Sequence, residues 1–155
     1  MAFALNNSDV RKLKRILEEF LERSEADACL VCDQAGHVLA KEGLAAQDPL
    51  LISALGAGVF AASRELAGLL GEDEFSAVLH QGTQRSIMIC AVNEEALMVV
   101  IFSLNASVGL VKLYAPTAAT SVRAILDGAW ERGPVSGDPD HIFVLSDKGS
   151  IFEEA

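Results

Sequence analysis

The most constraining feature of the sequence is a segment of 15 residues, 49–63, that carries no charged side chain. Asp48 precedes it as a helix N-cap, and Pro49 takes the first helical position, where a missing N–H costs nothing. Gly71 follows Leu70 as a C-cap. The sequence therefore predicts a long apolar helix from Pro49 to about Leu70.

The uncharged segment is too short to predict a membrane span. A bilayer requires roughly 20 consecutive apolar residues, and Ser53, Gly56 and Gly58 interrupt this stretch with small side chains. We therefore expect a buried helix of a folded domain, without membrane insertion.

This helix is apolar on two sides. At about 100° per residue, one arc carries large side chains and is expected to lie on a sheet: Leu51, Leu55, Val59, Ala62, Leu66 and Leu69. An ordinary surface helix would be polar opposite, but a single charge occurs among the six residues there: Ala54, Ala57, Phe60, Ala61, Arg64 and Gly68. Two interpretations stay open. This second side is a helix–helix seam of a dimer, with Ala61 near its symmetry mate or near Ala57 of the partner subunit, or another helix of the same chain covers it.

The flanking sequence predicts two further helices and five strands. The first helix has N-cap candidates at Asn7 and Ser8 and ends near Ser24. The strands are expected at Ala28–Val31, His37–Lys41, Phe75–His80, Arg85–Val92 and Ala96–Leu104, with turns at Asp33–Gly36 and Asn93–Glu95. The last strand is a continuous apolar run and should be central. A third helix runs from Ala106 to Trp130, where Pro116 kinks it or marks a strand-like start.

The order α-β-β-α-β-β-β-α predicts an α+β fold with one five-stranded antiparallel sheet between helices. We expect one domain over residues 1–133, then a linker and an acidic C-terminal tail over 134–155. Phe143 and Phe152 are the candidate tail contacts with a partner, although a tail without structure explains its composition equally well.

Charge and cysteine content exclude several classes of protein. The chain of 155 residues has a formal net charge of -10, which disfavours nucleic-acid binding because that requires clustered Lys and Arg. Its basic cluster at 11–15 is typical of a solvated helix face. Three cysteines cannot all pair, and the first seven residues lack the pattern of a signal peptide. Both observations favour the cytoplasm.

No catalytic or metal-binding motif is present. Cys29 and Cys32 have redox or zinc spacing, but a separation of three in a strand points their side chains to opposite faces. The three histidines are scattered, and no P-loop occurs. We therefore expect no metal, no cofactor and no active site. Arg64 is a candidate arginine finger for a GTPase, but a contact at the edge of an interface explains it better, and Arg85 has the same status.

Five segments, taken in order, resemble the bacterial roadblock proteins, and among them those of the MglB type. They are the hairpin 30–39, Leu66–Phe75, Leu79–Gly82 with Val99–Phe102, and Ser107–Lys112; together the resemblance spans about Asp27 to Leu126. It implies a sheet with one helix on one face and two on the other, and places Val108–Lys112 at the start of the last helix. It also implies dimerisation through the second helix and the neighbouring third strand.

The functional implication of the resemblance is regulation of a small GTPase. Roadblock proteins of this type are homodimers that stimulate GTP hydrolysis by a Ras-like, MglA-like partner without an arginine finger, and so set polarity at the cell poles of gliding, motile bacteria. The residues expected at the dimer and GTPase interface are Ala54, Ala57, Phe60, Ala61, Arg64, Glu65 and Gly68. Alternatives are a passive scaffold or localisation adaptor, an exchange factor, and a small-molecule sensor with a polar-lined cavity.

Overall fold

The computed structural model describes residues 2–43, 48–103, 108–132 and 141–146. In chain order, the elements are β1 Ala2–Asn6, α1 Asn7–Ser24, β2 Ala28–Asp33, β3 Val38–Gly43, α2 Pro49–Leu69, β4 Ala77–Gln81, β5 Arg85–Ala91, β6 Ala96–Ser103, α3 Val108–Arg132 and β7 His141–Ser146.

Strands β2 to β6 form one antiparallel sheet in the order β3-β2-β6-β5-β4. The apolar run 96–103 is the central strand, β6, and all of its side chains except that of Ser103 are buried. The prediction of a central last strand is confirmed. A strand with neighbours on both edges and helices over both faces has no polar environment, which explains its composition.

The sheet separates two hydrophobic cores. Helices α1 and α3 cover one face, where they enclose Val31, Met98, Val100 and Phe102. Helix α2 covers the other face, against Leu30, Leu97, Val99 and their neighbours. The alternation along β6 gives each core every second residue. This α+β arrangement, with one helix against two, agrees with the fold that the roadblock resemblance implies.

The predicted ends of α2 are confirmed. The Asp48 carboxylate accepts a hydrogen bond from the Leu50 N–H at 3.0 Å, and Pro49 occupies the first turn. At the other end, the Glu72 N–H donates to the Ala67 carbonyl at 2.9 Å, and Gly71 has a φ of 77°. This Schellman arrangement requires a left-handed residue after the last turn, which glycine adopts without strain.

Both termini depart from the prediction. The N-cap of α1 is Asn6 instead of Asn7 or Ser8, because Asn6 and Asp9 exchange hydrogen bonds in a capping box at 3.1 and 2.8 Å. The preceding residues form β1, which pairs antiparallel with β7 in a separate two-stranded sheet. Neither strand was expected. Part of the segment assigned to an acidic tail is therefore a strand in the structure, with Phe143 paired to Leu5 across the two strands. Phe152 lies outside the described residues.

Helix α3 begins at Val108 and continues through Pro116. The strand-like alternative for residues 109–114 is wrong. The ring of Pro116 cannot supply an N–H to the carbonyl of Lys112, one turn earlier. Thr120 donates its hydroxyl to the Pro116 carbonyl at 2.9 Å, so this part of α3 has an altered hydrogen-bond pattern.

Candidate interaction surface

Helix α2 faces the sheet with the side opposite to the one predicted. Its buried residues are Ser53, Gly56, Ala57, Phe60, Ser63 and Ala67. Phe60, 2% exposed, packs in the core beneath α2, and Ala57, 6% exposed, lies beside it. The expectation that Ala57 and Phe60 belong to an outward-facing seam is wrong.

Close packing between α2 and the sheet explains this orientation. A Cβ on Gly56 would stand 3.4 Å from a methyl group of Val99, and the hairpin turn before β3 also approaches the helix. There Gly36 has a φ of 92°, and an added Cβ would lie 2.7 Å from the Cα of Ala54. The Ser53 hydroxyl donates to the Gly36 carbonyl. Small side chains let the backbones meet at these distances, whereas a face of leucines would hold them apart.

The outer side of α2 carries an uncovered row of leucines, termed the leucine stripe: Leu51, Leu55, Leu66 and Leu69. Their exposed fractions are 58%, 63%, 58% and 83%. At about 100° per residue they fall within an arc of roughly 60°, and they extend over about 27 Å of helix. Of the seven large apolar side chains that are exposed in the described residues, six lie on α2 or its C-cap. No described element of the chain covers this stripe.

Small residues occupy the middle of the stripe. Gly58 and Ala62 are both exposed, and a Cβ built on Gly58 meets no atom within 4 Å. Leucines at both ends and small residues at the centre allow a second helix to cross closely at the middle and pack against leucines on either side. The surface therefore has the shape of a helix–helix contact.

The remaining predicted interface residues lie on one side of α2, next to the leucine stripe or between it and the sheet. Ala54, Glu65 and Gly68 are exposed, as is Ala61. Arg64 is half-buried, and its guanidinium carbon lies 5.3 Å from the centroid of the Phe60 ring. Its Nε has no hydrogen-bond partner within the described part of the chain. A residue of this kind favours a planar acceptor from a second molecule. The structure brings these five residues onto one side of α2 but does not test their role.

Sequence reasoning missed the leucine stripe as the exposed surface. Arg85, the second candidate arginine, is exposed at the start of β5. It lines a cleft of about 380 Å³ together with His80 and Ile52, below the N-terminal end of α2.

The cysteines are buried and free. Cys29 lies in the core beneath α1 and α3 and Cys32 in the core beneath α2, so the prediction of opposite faces is confirmed. Burial, and secondarily a neighbouring carboxylate, raises the pKa of each of these two thiols to about 12. Burial raises the pKa of Cys90 to about 11. Within the described residues, no three His, Cys, Asp or Glu side chains are grouped to hold a metal ion.

We expect the thiols to be almost unreactive in the folded protein. At pH 8, pKa values of about 11 to 12 reduce the thiolate fraction about 100- to 1000-fold relative to a thiol at 9.0, and burial blocks access as well. Ellman's reagent should therefore titrate no thiol within minutes in native buffer and all three in guanidinium chloride. A thiol that reacts quickly without denaturant would contradict the buried placement.

A buried polar cluster in the turn between β2 and β3 has a structural role. Asp33 accepts a hydrogen bond from the backbone N–H of His37 at 2.8 Å, and its second oxygen lies 2.9 Å from the imidazole Nδ1. Ser53 is fully buried, and its hydroxyl donates to the carbonyl of Gly36. The cluster thus consists of residue types used in nucleophilic catalysis, but the hydroxyl is bound to a carbonyl and has no access to solvent.

At 21 residues, α2 has the length and composition of a membrane-crossing helix, since the helix continues beyond the uncharged segment. Core helices of soluble proteins have the same length and composition. In this structure one side of α2, including Ser53 and Ser63, packs on the sheet. The helix is therefore part of the folded core on one face of the sheet. Its exposed apolar side is the feature that this packing does not account for.

Comparison with known proteins identifies the family. Residues 12–102 match the sequence profile described as Roadblock/LC7 domain. The structure is similar to the gliding protein MglB from Thermus thermophilus, with 30% identity, a TM-score of 0.76, and coverage of 82% of this chain and 97% of that one. A second solved MglB, described as having a tetrameric arrangement, gives 31% identity, a TM-score of 0.78, and coverage of 82% and 96%.

Myxococcus xanthus MglB is similar as well, at 28% identity and a TM-score of 0.72, with coverage of 76% of this chain and 96% of that one. These structures contain the same five-stranded antiparallel sheet and three helices as the described residues. Since the family profile covers more than half of the sequence, and the solved relatives agree in both sequence and fold, the chain belongs to the Roadblock/LC7 domain family.

Proposed function

We propose that the chain is a homodimeric regulator that binds a Ras-like, MglA-like small GTPase and stimulates GTP hydrolysis without an active site or arginine finger of its own. The leucine stripe is the observation that carries this proposal. An exposed apolar surface of this extent on a small acidic protein is typical of a protein–protein interface. The similarity to several MglB structures favours a GTPase partner. We expect the protein to act in the cytoplasm, including at cell poles.

The pattern of the stripe fits a second copy of the same helix. If two α2 helices cross antiparallel near residue 60, Leu55 meets Leu66 of the partner subunit, and the same contact recurs across the two-fold axis. Leu51 and Leu69 match in the same way at the outer ends, while Gly58 and Ala62 let the helices approach at the crossing. A self-complementary surface of this kind closes as a dimer.

Two adjacent α2 helices would form a platform for the GTPase. Ala54, Glu65 and Gly68 lie on one flank of the stripe, with Arg64 farther round the helix toward the sheet, and these residues would border the platform. Stimulation of hydrolysis then works through population shift: the dimer binds the hydrolysis-competent conformation of the GTPase switch regions more tightly than the resting one. The ratio of those two affinities limits the acceleration.

Arg64 is better placed for contact than for catalysis. Its guanidinium lies over the Phe60 ring of the same helix, which holds the charge near the α2 backbone. An arginine finger must extend into the partner's active site, where it is worth about 10³–10⁵ in rate.

Single-turnover GTP hydrolysis by an MglA-like GTPase, with and without the protein, tests the proposal. We expect a clear rate increase with the wild type. Arg64→Ala should retain the increase to within about 10-fold, whereas loss of a true finger costs about 10³ or more. Arg85→Ala, at the second candidate arginine, should likewise retain the increase to within about 10-fold.

Other outcomes would contradict the proposal in specific ways. Binding with an unchanged hydrolysis rate would identify a scaffold or localisation adaptor. Faster release of a fluorescent GDP analogue without faster hydrolysis would identify an exchange factor. If Arg64→Ala binds the GTPase normally but loses all stimulation, Arg64 acts as an arginine finger.

A further inference from the structure

A second surface lies on the face of the sheet opposite to α2. It is an open groove of about 510 Å³ between α3 and the edge of the sheet. Leu79, Met88 and Cys90 from β4 and β5 form its floor, and Ala115 and Ala119 from α3 belong to its wall. None of these residues belongs to the leucine stripe, so the groove is independent of the proposed dimer surface.

The groove exists because the two helices on this face do not cover the edge strand. Helix α3 packs on β5 and on α1, and α1 packs on β2 and β3, which leaves β4 without a helix above it. The α3 residues beside β4 are small or lack an N–H: Ala115, Pro116, Ala119 and Thr120. The apolar floor and the small side chains of the wall together leave the groove open to solvent.

Two cationic side chains border this groove. Lys112 and Arg123 are eleven residues apart on α3, so they share one side of the helix and stand about 16 Å apart along its axis. The Arg123 Nε donates to the Val92 carbonyl at 2.8 Å, which fixes the guanidinium at one end. Among the described residues, no Asp or Glu lines the groove, although the whole chain has 22 acidic and 12 basic side chains. The groove is thus a positive, apolar surface on an acidic protein.

In the part of α3 that lines the groove, one carbonyl lacks its usual helical N–H donor. Pro116 has no N–H for the carbonyl of Lys112, and both residues line the groove. A ligand that offers an N–H donor to this carbonyl, apolar atoms to the floor and a negative charge to each cation would satisfy all of these groups. A peptide with an apolar centre and acidic side chains at both ends offers these groups, since its main-chain amides supply the N–H donors.

We infer that the groove binds an extended peptide segment of a partner protein, with an apolar centre and an acidic residue at each end. The first and fifth residues of an extended segment stand about 13 Å apart, and the reach of the acidic and Lys112 side chains covers the remainder of the roughly 16 Å between the two cations along α3. A fatty acid carries one anionic group and could pair with one cation only. Charge complementarity at both ends of the groove therefore favours a peptide over a fatty acid.

The test uses two blocked pentapeptides, one with Leu-Val-Leu between two glutamates and one with the same centre between two lysines. Titration into isotopically labelled protein is followed by amide NMR shifts. The glutamate peptide should shift the amides of Leu79, Met88 and Ala115 and saturate with a Kd below about 1 mM, and the lysine peptide should not. Raising the salt to 0.5 M should weaken binding at least threefold, because both end contacts are ionic.

Variants locate the binding. The double variant Lys112→Glu, Arg123→Glu should weaken the glutamate peptide at least 10-fold, and Thr120→Trp should block the groove from an exposed position that leaves the core intact. Lys41→Glu on β3 is a charge-reversal control outside the groove and should bind as the wild type does. Leu55→Arg on the leucine stripe should also bind normally, so failure of the proposed dimer and failure of the groove are distinguishable.

Four results would overturn the inference. The first three are absence of shifts at 5 mM glutamate peptide, binding that the double variant leaves unchanged, and decanoate binding at the same site as tightly as the peptide. A Kd that improves more than 10-fold when the chain is shortened after Ser146 would make the occupant the protein's own acidic C-terminal segment, and would likewise exclude a foreign partner.

Discussion

Phe60→Ala is expected to lower the free energy of unfolding by about 3–5 kcal/mol and the Tm by about 10 °C. The Phe60 ring is 2% exposed and packs among Leu30, Leu97 and Val99 between α2 and the sheet. Truncation removes the contacts of the ring between α2 and the sheet, and leaves a cavity that the sheet cannot fill. Thermal and urea unfolding followed by circular dichroism measure the effect.

The matched control for this substitution is Leu55→Ala on the same helix. Leu55 is 63% exposed, so within one protomer its truncation should cost less than about 0.5 kcal/mol. The Phe60 effect should not depend on protein concentration, whereas any Leu55 effect should grow with concentration because it acts through the dimer. The reverse pattern, a large cost at Leu55 and a small one at Phe60, would mean that α2 lies with its leucines on the sheet.

The second large effect is expected for Leu55→Arg. A charge without a partner inside an apolar helix–helix contact costs several kcal/mol, so the dimer should weaken by at least 100-fold. Sedimentation velocity should give a monomer at concentrations where the wild type is a dimer, with an unchanged circular dichroism spectrum. Ala62→Arg should act in the same way, since Ala62 is exposed at the proposed crossing.

Leu113→Arg provides the control for this experiment. Leu113 lies on α3 with 62% exposure, which is nearly the same as that of Leu55, but outside the leucine stripe. It should leave the dimer intact. A wild type that remains monomeric at high concentration, or a Leu55→Arg protein that remains dimeric, would remove the basis of the proposed function.

The number and order of the main elements could be predicted from the sequence because their signals are local. Asp48, Pro49 and Gly71 mark the ends of α2 through hydrogen bonds within one turn. The apolar run of β6 indicates a strand covered on both faces, and the spacing of Cys29 and Cys32 assigns them to different cores. The terminal strands β1 and β7 could not be predicted, since their pairing joins residues more than 130 positions apart.

The orientation of α2 was decided by the tertiary structure alone. Its sequence is apolar on both sides, so periodicity identifies two candidate faces without ranking them, and the rule that large side chains face the core selects the wrong one. The close approach of Gly56 to Val99 and of Gly36 to Ala54 settles the choice, because only the side with small residues and Phe60 fits the space above the sheet. The sequence by itself thus determined that α2 has a second apolar face, and the packing of the sheet determined that the leucines form it.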